Sequence, residues 1–229
     1  MTSVGQRAIV QLTDGTQLTL APRSRLRYAR DFGERSREVH LEGEAYFDVP
    51  HDTTRPFRVH TRGVLTEDLG TAFAVTAYPD EATTTVLVAS GRVATRRTDD
   101  AAGAATDRVG SAAPRAVVLD RGDLARLSGT GGVLVTRGVD VERHLAWTTG
   151  TLVFDSAPLG EVIRTLARWY DLDVRLTDRA LAARPLTATF RHEPVSQVLD
   201  RIALTLDLRV ERDGRSVLFR PNDQKQPAP

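Results

Sequence analysis

From Ala8 to Val135 apolar and polar residues alternate in short runs. They include Ala8-Ile9-Val10-Gln11-Leu12, Gln17-Leu18-Thr19-Leu20, Val39-His40-Leu41, Ala45-Tyr46-Phe47-Asp48-Val49 and Phe57-Arg58-Val59. The pattern continues through Phe73-Ala74-Val75-Thr76-Ala77-Tyr78, Thr85-Val86-Leu87-Val88, Arg92-Val93-Ala94-Thr95, Val117-Val118-Leu119 and Val133-Leu134-Val135. A period of two places alternate side chains on one face, the mark of a strand with one side buried. Turn signals separate the runs at Asp14-Gly15, Glu42-Gly43, Ser90-Gly91 and Arg121-Gly122. No stretch here keeps a helical period. Residues 1–137 therefore read as an all-β domain, either an antiparallel sandwich or a stacked β-solenoid. Residues 98–115 break the alternation with Asp99-Asp100, Gly103, Gly110 and Pro114, and read as a mobile loop between two strands. Gly129 to Gly132 reads as another turn.

After Gly138 the pattern changes. Residues 138–150 read as a linker, partly helical, in which Trp147 is the last large apolar residue. A repeat follows. Phe154, Pro158, Leu159, Val162, Ile163 and Leu166 recur as Phe190, Pro194, Val195, Val198, Leu199 and Ile202 at an offset of about 36 residues. Leu172 and Val174 recur as Leu208 and Val210. Each copy reads strand, helix, strand. Its proline sits near the first helical turn, where a missing N–H is harmless, and its apolar positions then follow i, i+3, i+4, i+7. Residues 151–220 are thus expected to form a small α+β domain of two βαβ-like copies, ending in a hairpin at Asp213-Gly214. The polar, proline-containing tail at 221–229 reads as disordered.

Composition narrows the function classes. A formal charge of +1 over 229 residues gives no bulk attraction to nucleic acid or to a membrane. Positive charge is almost all arginine, with Lys225 the single lysine. The lack of cysteine removes disulfides, thiolate metal sites and cysteine nucleophiles. No apolar run approaches the roughly 20 residues that span a bilayer. The first residues lack the regions of a signal peptide, so an export or anchoring segment is expected outside this sequence. No G-x-S-x-G and no phosphate-binding glycine loop occurs; Gly129-Thr130-Gly131-Gly132 lacks the lysine such a loop needs. His40, His51, His60, His144 and His192 show no metal-ligand spacing, so no metal site and no cofactor are expected.

Four strings in order resemble the FecR family: Gly43-Glu44-Ala45-Tyr46-Phe47-Asp48-Val49, Arg55-Pro56-Phe57-Arg58-Val59, Leu69-Gly70-Thr71-Ala72-Phe73-Ala74-Val75 and Gly91-Arg92-Val93. The repeat at 151–220 is similar to the short N-terminal domain of secretins and TonB-linked transporters, and to the domain that often follows a FecR domain. Together the resemblances cover about residues 5–220. They imply an anti-sigma regulator anchored in the inner membrane by one helix, with this region in the periplasm. The implied partners are the periplasmic signalling domain of a TonB-dependent outer-membrane transporter, often one for iron or another nutrient, and an extracytoplasmic-function sigma factor held by an N-terminal region absent from this sequence. Alternative readings are a small-molecule- or glycan-binding β-domain and a secretin-like assembly module.

The resemblance also points to chemistry. Some family members cut themselves at a Gly-Thr pair, which here is Gly70-Thr71. The Thr71 hydroxyl would attack the Gly70 carbonyl and form an ester that water hydrolyses, a single-turnover event rather than enzyme turnover. The competing reading is a glycine at a strand bend followed by a threonine suited to a strand. His60, Glu67 and Asp68 are near in sequence, and none is singled out as proton acceptor. Glu44 and Arg55 read as structural ion-pair or turn residues. Gly43, Pro56 and Gly91 are motif positions, and Phe47, Phe57, Phe73 and Val75 read as core. Partner binding is expected in the C-terminal domain, by edge-strand addition or on the helix face bearing Gln197, Asp200 and Arg201.

Overall fold

The computed structural model describes residues 1–68, 70–98, 116–128 and 132–222. The expected loop with Asp99-Asp100, the Gly129 to Gly131 turn, Leu69 and the tail from 223 lie outside the described residues. Two compact units emerge: Met1–Ser3 with Arg7–Leu145, and Val4–Gln6 with the chain from Ala146 onward.

The first unit is built of strands: β1 (Ala8–Gln11), β2 (Gln17–Leu20), β3 (Arg25–Tyr28), β4 (Arg37–Asp48), β5 (Phe57–Thr61), β6 (Val64–Asp68), β7 (Ala72–Ala77), β8 (Thr83–Ser90), β9 (Arg92–Arg97), β10 (Val117–Asp120), β11 (Leu124–Ser128) and β12 (Val133–Thr136). Their order is β10-β9-β6-β5-β4-β7-β8-β11-β12, with β2 and β3 also on β4 and β1 on β2. Among these described strands every pairing is antiparallel except β4 with β5. Of the two expected all-β architectures this is the antiparallel sandwich, since a stacked solenoid would pair successive coils in parallel.

One strand belongs to both layers. The first half of β4 pairs with β3 and β5, and its second half with β2 and β7. Gly43 is the pivot, with φ +107°. A β-carbon there would collide with the Ser24 hydroxyl and lie 2.7 Å from the Ser24 Cα. The turn expected at Glu42-Gly43 is therefore a bend inside a continuous strand. Positive φ and close backbone approach both demand glycine. Alternate residues of β4 (Val39, Leu41, Ala45 and Phe47) stay buried along its whole length. They feed a single core to which both layers contribute: Leu18, Phe73, Val86 and Val88 from one side, Phe57, Val59, Val93 and Leu119 from the other. Phe47 is the hub, its ring 5.2 Å from that of Phe73 and 5.6 Å from that of Phe57. Aromatic pairs of this kind each add about 0.5–1.5 kcal/mol beyond their buried area.

The outer face of the β7–β8–β11 layer carries a second apolar row, Ala74, Leu87 and Leu124. Val139, Val141 and Leu145 pack against it. Val141 and Leu145 are the ends of a short helix, α1 (Val141–Leu145). The first part of the expected linker thus caps a layer of the first unit.

A buried ion pair lies at the start of β4. The side chains of Arg37 and Asp14 are 2% and 4% exposed, with Nε to Oδ2 at 2.7 Å. The remaining guanidinium nitrogens donate to the carbonyls of Arg55 (3.0 Å) and Pro50 (3.2 Å). Asp14 also accepts from the amide and hydroxyl of Thr16. Every charge is matched, which is the condition under which burial is tolerated.

In the second unit a 3-10 turn at Ala146–Thr149 buries Trp147. Then come β13 (Thr151–Pro158), α2 (Leu159–Tyr170), β14 (Asp173–Leu176), a 3-10 turn at Arg179–Ala183, β15 (Pro185–Arg191), α3 (Val195–Thr205), β16 (Leu208–Asp213) and β17 (Ser216–Pro221). The strand–helix–strand order occurs twice, as the repeat implies. The two strands of each copy enter different sheets: β13 pairs with β15, while β14 and β16 flank β17. Phe154 and Phe190, equivalent in the repeat, meet edge to face at 6.1 Å. Pro158 and Pro194 both cap their helices with φ near −55°. The repeat reaches the backbone as well. Ser156 and His192 share a left-handed φ (49° and 55°), as do Asp171 and Asp207 (57° and 48°). These are the bends that carry each copy into and out of its helix. The buried faces of α2 (Leu159, Val162, Ile163, Leu166) and α3 (Val198, Leu199, Ile202) share the core of this unit. The fold expected from the sequence, a large all-β part and a smaller α+β part, is the one observed.

Replacing Arg37 with methionine leaves Asp14 as an uncompensated buried charge. Urea unfolding of Arg37→Met is expected to show a loss of about 3–5 kcal/mol. Arg92→Met, which removes the partner of Asp120 in a pair 70% and 59% exposed, is expected to change stability by less than about 1 kcal/mol.

Candidate functional site

The Gly70-Thr71 pair lies where the chain leaves β6 and enters β7. Asp68 is the last residue of β6 and is 1% exposed. Thr66 precedes it by two and Val64 by four, and both are buried. Period two thus aims the Asp68 carboxylate inward. Its Oδ2 accepts from the amides of Gly70 (3.0 Å) and Thr71 (3.1 Å). Its Oδ1 accepts a hydrogen bond from the Thr71 hydroxyl. Thr71 is itself 6% exposed, and its carbonyl accepts from the Val49 amide at 3.0 Å. One carboxylate therefore grips both the nucleophile candidate and the amide that would leave.

Two neighbours fix this corner. Gly70 has φ +135°, and a β-carbon there would fall on the Cα of His51 and 2.6 Å from its Nδ1. Gly91, at φ +73°, lies against Thr71: a β-carbon would collide with Cγ2 of Thr71 and lie 3.1 Å from its Cβ. Gly91 thus packs against the other side of Thr71, which explains its place in the motif. Sequence reasoning names His51 only among the histidines without metal-ligand spacing and does not bring it to this corner. His51 reaches the corner because the guanidinium of Arg37 holds the carbonyls on either side of it, those of Pro50 and Arg55.

Of the three residues near Thr71 in sequence, Asp68 is the one that reaches it. Glu67 accepts from Arg58 at 2.7 Å. The His60 ring lies 3.3 Å from Glu38. Among the motif residues, Phe47, Phe57 and Phe73 are fully buried. Pro56 leads directly into β5. Arg55 pairs with Asp52 at 2.9 Å and donates to the Gly33 carbonyl, and Glu44 accepts from the Thr76 hydroxyl at 3.1 Å. In the second unit Gln197, Asp200 and Arg201 are exposed on α3. Arg201 donates to both oxygens of Glu193 at 2.7 Å and lies over the Phe190 ring at 4.9 Å. Leu204, 84% exposed, falls on the same helix face at i+3 from Arg201 and i+7 from Gln197.

The FecR protein family profile matches residues 1–94, and the FecR C-terminal profile matches residues 151–219. Together they take in well over half of the sequence, in the order expected. The chain belongs to the FecR family. Two crystal structures, each of a candidate anti-sigma factor from Parabacteroides distasonis, share its fold at TM-scores of 0.83 and 0.82. Both are 24% identical to it over 96% of this chain, and are themselves covered to 97% and 96%. No curated protein matches the sequence.

This FecR-family chain also carries a cleft of about 1130 Å³ in its first unit, lined by Arg27, His40, Glu42, His60, Arg62 and Tyr78 among others. His40 and His60, side by side on β4 and β5, stack at 4.9 Å. Burial lowers the His40 pKa, and the nearby His60 and Arg27 lower it further against the opposing pull of Glu38. Among the described residues no group of three or more His, Asp or Glu could hold a metal ion, and no helix is long and apolar enough to cross a membrane.

Gly91→Ala must move Thr71 as well as adopt a left-handed backbone. Gly138→Ala meets only the backbone term, since nothing lies within 4 Å of its β-carbon at φ +68°. By thermal unfolding Gly138→Ala should cost about 1–2 kcal/mol, and Gly91→Ala a further 1–3 kcal/mol or so. For His40, a folded pKa below the ordinary histidine value means that the unfolded chain takes the proton first. Its contribution is whole above that ordinary value and is lost as pH falls below it. The melting temperature should drop between pH 7.5 and 5.5, and His40→Gln should drop less.

Proposed function

We propose that this chain is the sensing part of a FecR-type anti-sigma regulator on the periplasmic side of the inner membrane. Its C-terminal unit receives the signalling domain of a TonB-dependent transporter. The message passes to a sigma factor held by a region outside residues 1–229. The observation that carries this reading is the presence of both FecR profiles, in order, in one chain. The fold likeness to candidate anti-sigma factors supports it. So does the exposed α3 face, where Leu204 stands among Gln197, Asp200 and Arg201: an unpaired apolar side chain within a polar rim suits a protein partner.

The same reading makes Gly70-Thr71 a self-cleavage site. The Thr71 hydroxyl adds to the Gly70 carbonyl, the C–N bond opens to leave an ester, and water hydrolyses that ester. The cut falls between β6 and β7, whose partners lie on both sides of it: β7 pairs with β4, and β6 with β9. The two pieces therefore remain joined by sheet pairing after the bond is gone.

Intact-mass spectrometry under denaturing conditions should give two fragments meeting between Gly70 and Thr71. Thr71→Ala should give one full-length mass, and the wild-type fragments should co-elute under native conditions. A single full-length mass in both proteins removes the cleavage step. The relay is tested separately by pull-down with periplasmic signalling domains of TonB-dependent transporters: capture that Leu204→Glu weakens at least tenfold supports it, and failure to capture any of them overturns it.

A further inference from the structure

We propose that Asp68 is the proton shuttle of the Gly70-Thr71 bond: a single buried carboxylate takes the Thr71 hydroxyl proton and delivers it to the Thr71 nitrogen as that nitrogen leaves. The inference rests on the reading of Gly70-Thr71 as a self-cleavage site, and adds the group that makes the step feasible. An acyl shift from nitrogen to oxygen has two proton problems. The hydroxyl is a weak nucleophile while it keeps its proton, and an amide nitrogen is a poor leaving group until it gains one. Here one side chain faces both. Oδ1 of Asp68 accepts from the Thr71 hydroxyl, and Oδ2 lies 3.1 Å from the Thr71 nitrogen.

The step balances without an outside reagent. The Thr71 Oγ1–H proton passes to Asp68 as the bond from Oγ1 to the Gly70 carbonyl carbon forms. The C–N bond to Thr71 then breaks, and the proton on Asp68 moves to that nitrogen, leaving a free amine and a Gly70–Thr71 ester. Asp68 ends as the carboxylate it began as. One water later splits the ester into a Gly70 carboxyl group and the Thr71 hydroxyl. Burial favours the arrangement: Asp68 and Thr71 are 1% and 6% exposed, so bulk water does not compete for the hydroxyl proton, and the geometry is set before reaction. Glu67 and His60 are turned to Arg58 and Glu38. His51 fills the space that a β-carbon on Gly70 would need. Gly91 lets Thr71 sit where its hydroxyl reaches Asp68.

A carboxylate that only held the turn could be replaced by an amide, which still offers an oxygen to the two N–H groups but takes up no proton. The test uses the whole 229-residue chain unfolded in denaturant, refolded by dilution, and sampled by intact mass with and without neutral hydroxylamine, which converts an ester at this position to a Gly70 hydroxamate. Asp68→Asn, with near-UV circular dichroism matching wild type, is expected to cut about 10²–10⁴-fold more slowly and to accumulate no hydroxamate. Cleavage within threefold of wild type by folded Asp68→Asn overturns the shuttle. If Asp68→Asn does not fold, the wild-type pH profile decides. A rate that levels off once a single acid has ionised supports a carboxylate base; one that climbs tenfold per pH unit without a plateau shows hydroxide at work and overturns the proposal. Wild type that yields neither fragments nor hydroxamate overturns the self-cleavage reading itself, a result distinct from the failure of Asp68 alone.

Discussion

A sandwich needs its two layers joined, and in the first unit β4 is part of both. The strand changes layers at Gly43 because the space beside that residue is filled by Ser24 and the backbone turns through a positive φ. Much else hangs from its two ends. Phe47, near one end, is the meeting point of the aromatic core. Arg37, at the other, neutralises Asp14 and holds the carbonyls of Pro50 and Arg55. Those two carbonyls bracket the segment that brings His51 against Gly70. The corner between β6 and β7 thus also depends on Arg37 of β4 and on its partner Asp14 in the turn between β1 and β2. The pair is fully satisfied, which is what lets two charges stay buried here.

The second unit solves its packing by repetition. Each copy lays an amphipathic helix on the shared core and sends its two strands to different sheets. The shared left-handed bends at Ser156 and His192, and at Asp171 and Asp207, show that the copies match in backbone path and not only in apolar pattern. What differs is the outward face. Arg201 of α3 closes over Phe190 and is held by Glu193, so its guanidinium is locked. Leu204 has no such cover. A guanidinium already held in place beside one bare leucine would lose little entropy in meeting a protein partner.

The sequence carries most of this architecture because burial writes a period of two or 3.6 along the chain. It fails where burial is polar or where both faces are covered. β3 was invisible because a strand exposed over most of its length shows no apolar face. β6 presents Val64, Thr66 and Asp68 inward, so its buried face reads as polar. β11 buries Ala125 and Leu127 in the core and Leu124 in the row that α1 caps, so its apolar residues do not keep to one face. The Asp14–Arg37 pair spans 23 positions, and nothing in local pattern joins such residues. Glu42-Gly43 reads as a turn because glycine signals a bend, and only the packing against Ser24 shows that the strand continues. The corner itself was half legible. Gly70-Thr71 stood out by resemblance, while Asp68 could be separated from Glu67 only by extending the period-two count of β6 inward from Val64.

A cut between β6 and β7 would change the connectivity of the sandwich and leave its contacts in place. At equilibrium the pieces stay together, because β7 is bonded to β4 and β8 on either side, and β6 to β5 and β9. Breaking them apart means exposing Phe47 from one piece and Phe73 from the other, two fully buried rings in contact. The uncut chain differs in one respect: a partly opened sandwich finds its own missing strand at high effective concentration, whereas separated pieces do not. The bond is then irrelevant to the folded state and decisive only once the layers have been forced open. A cut chain of this design keeps its shape under small deformations and loses it in one direction once the layers part, because the separated pieces do not find each other again.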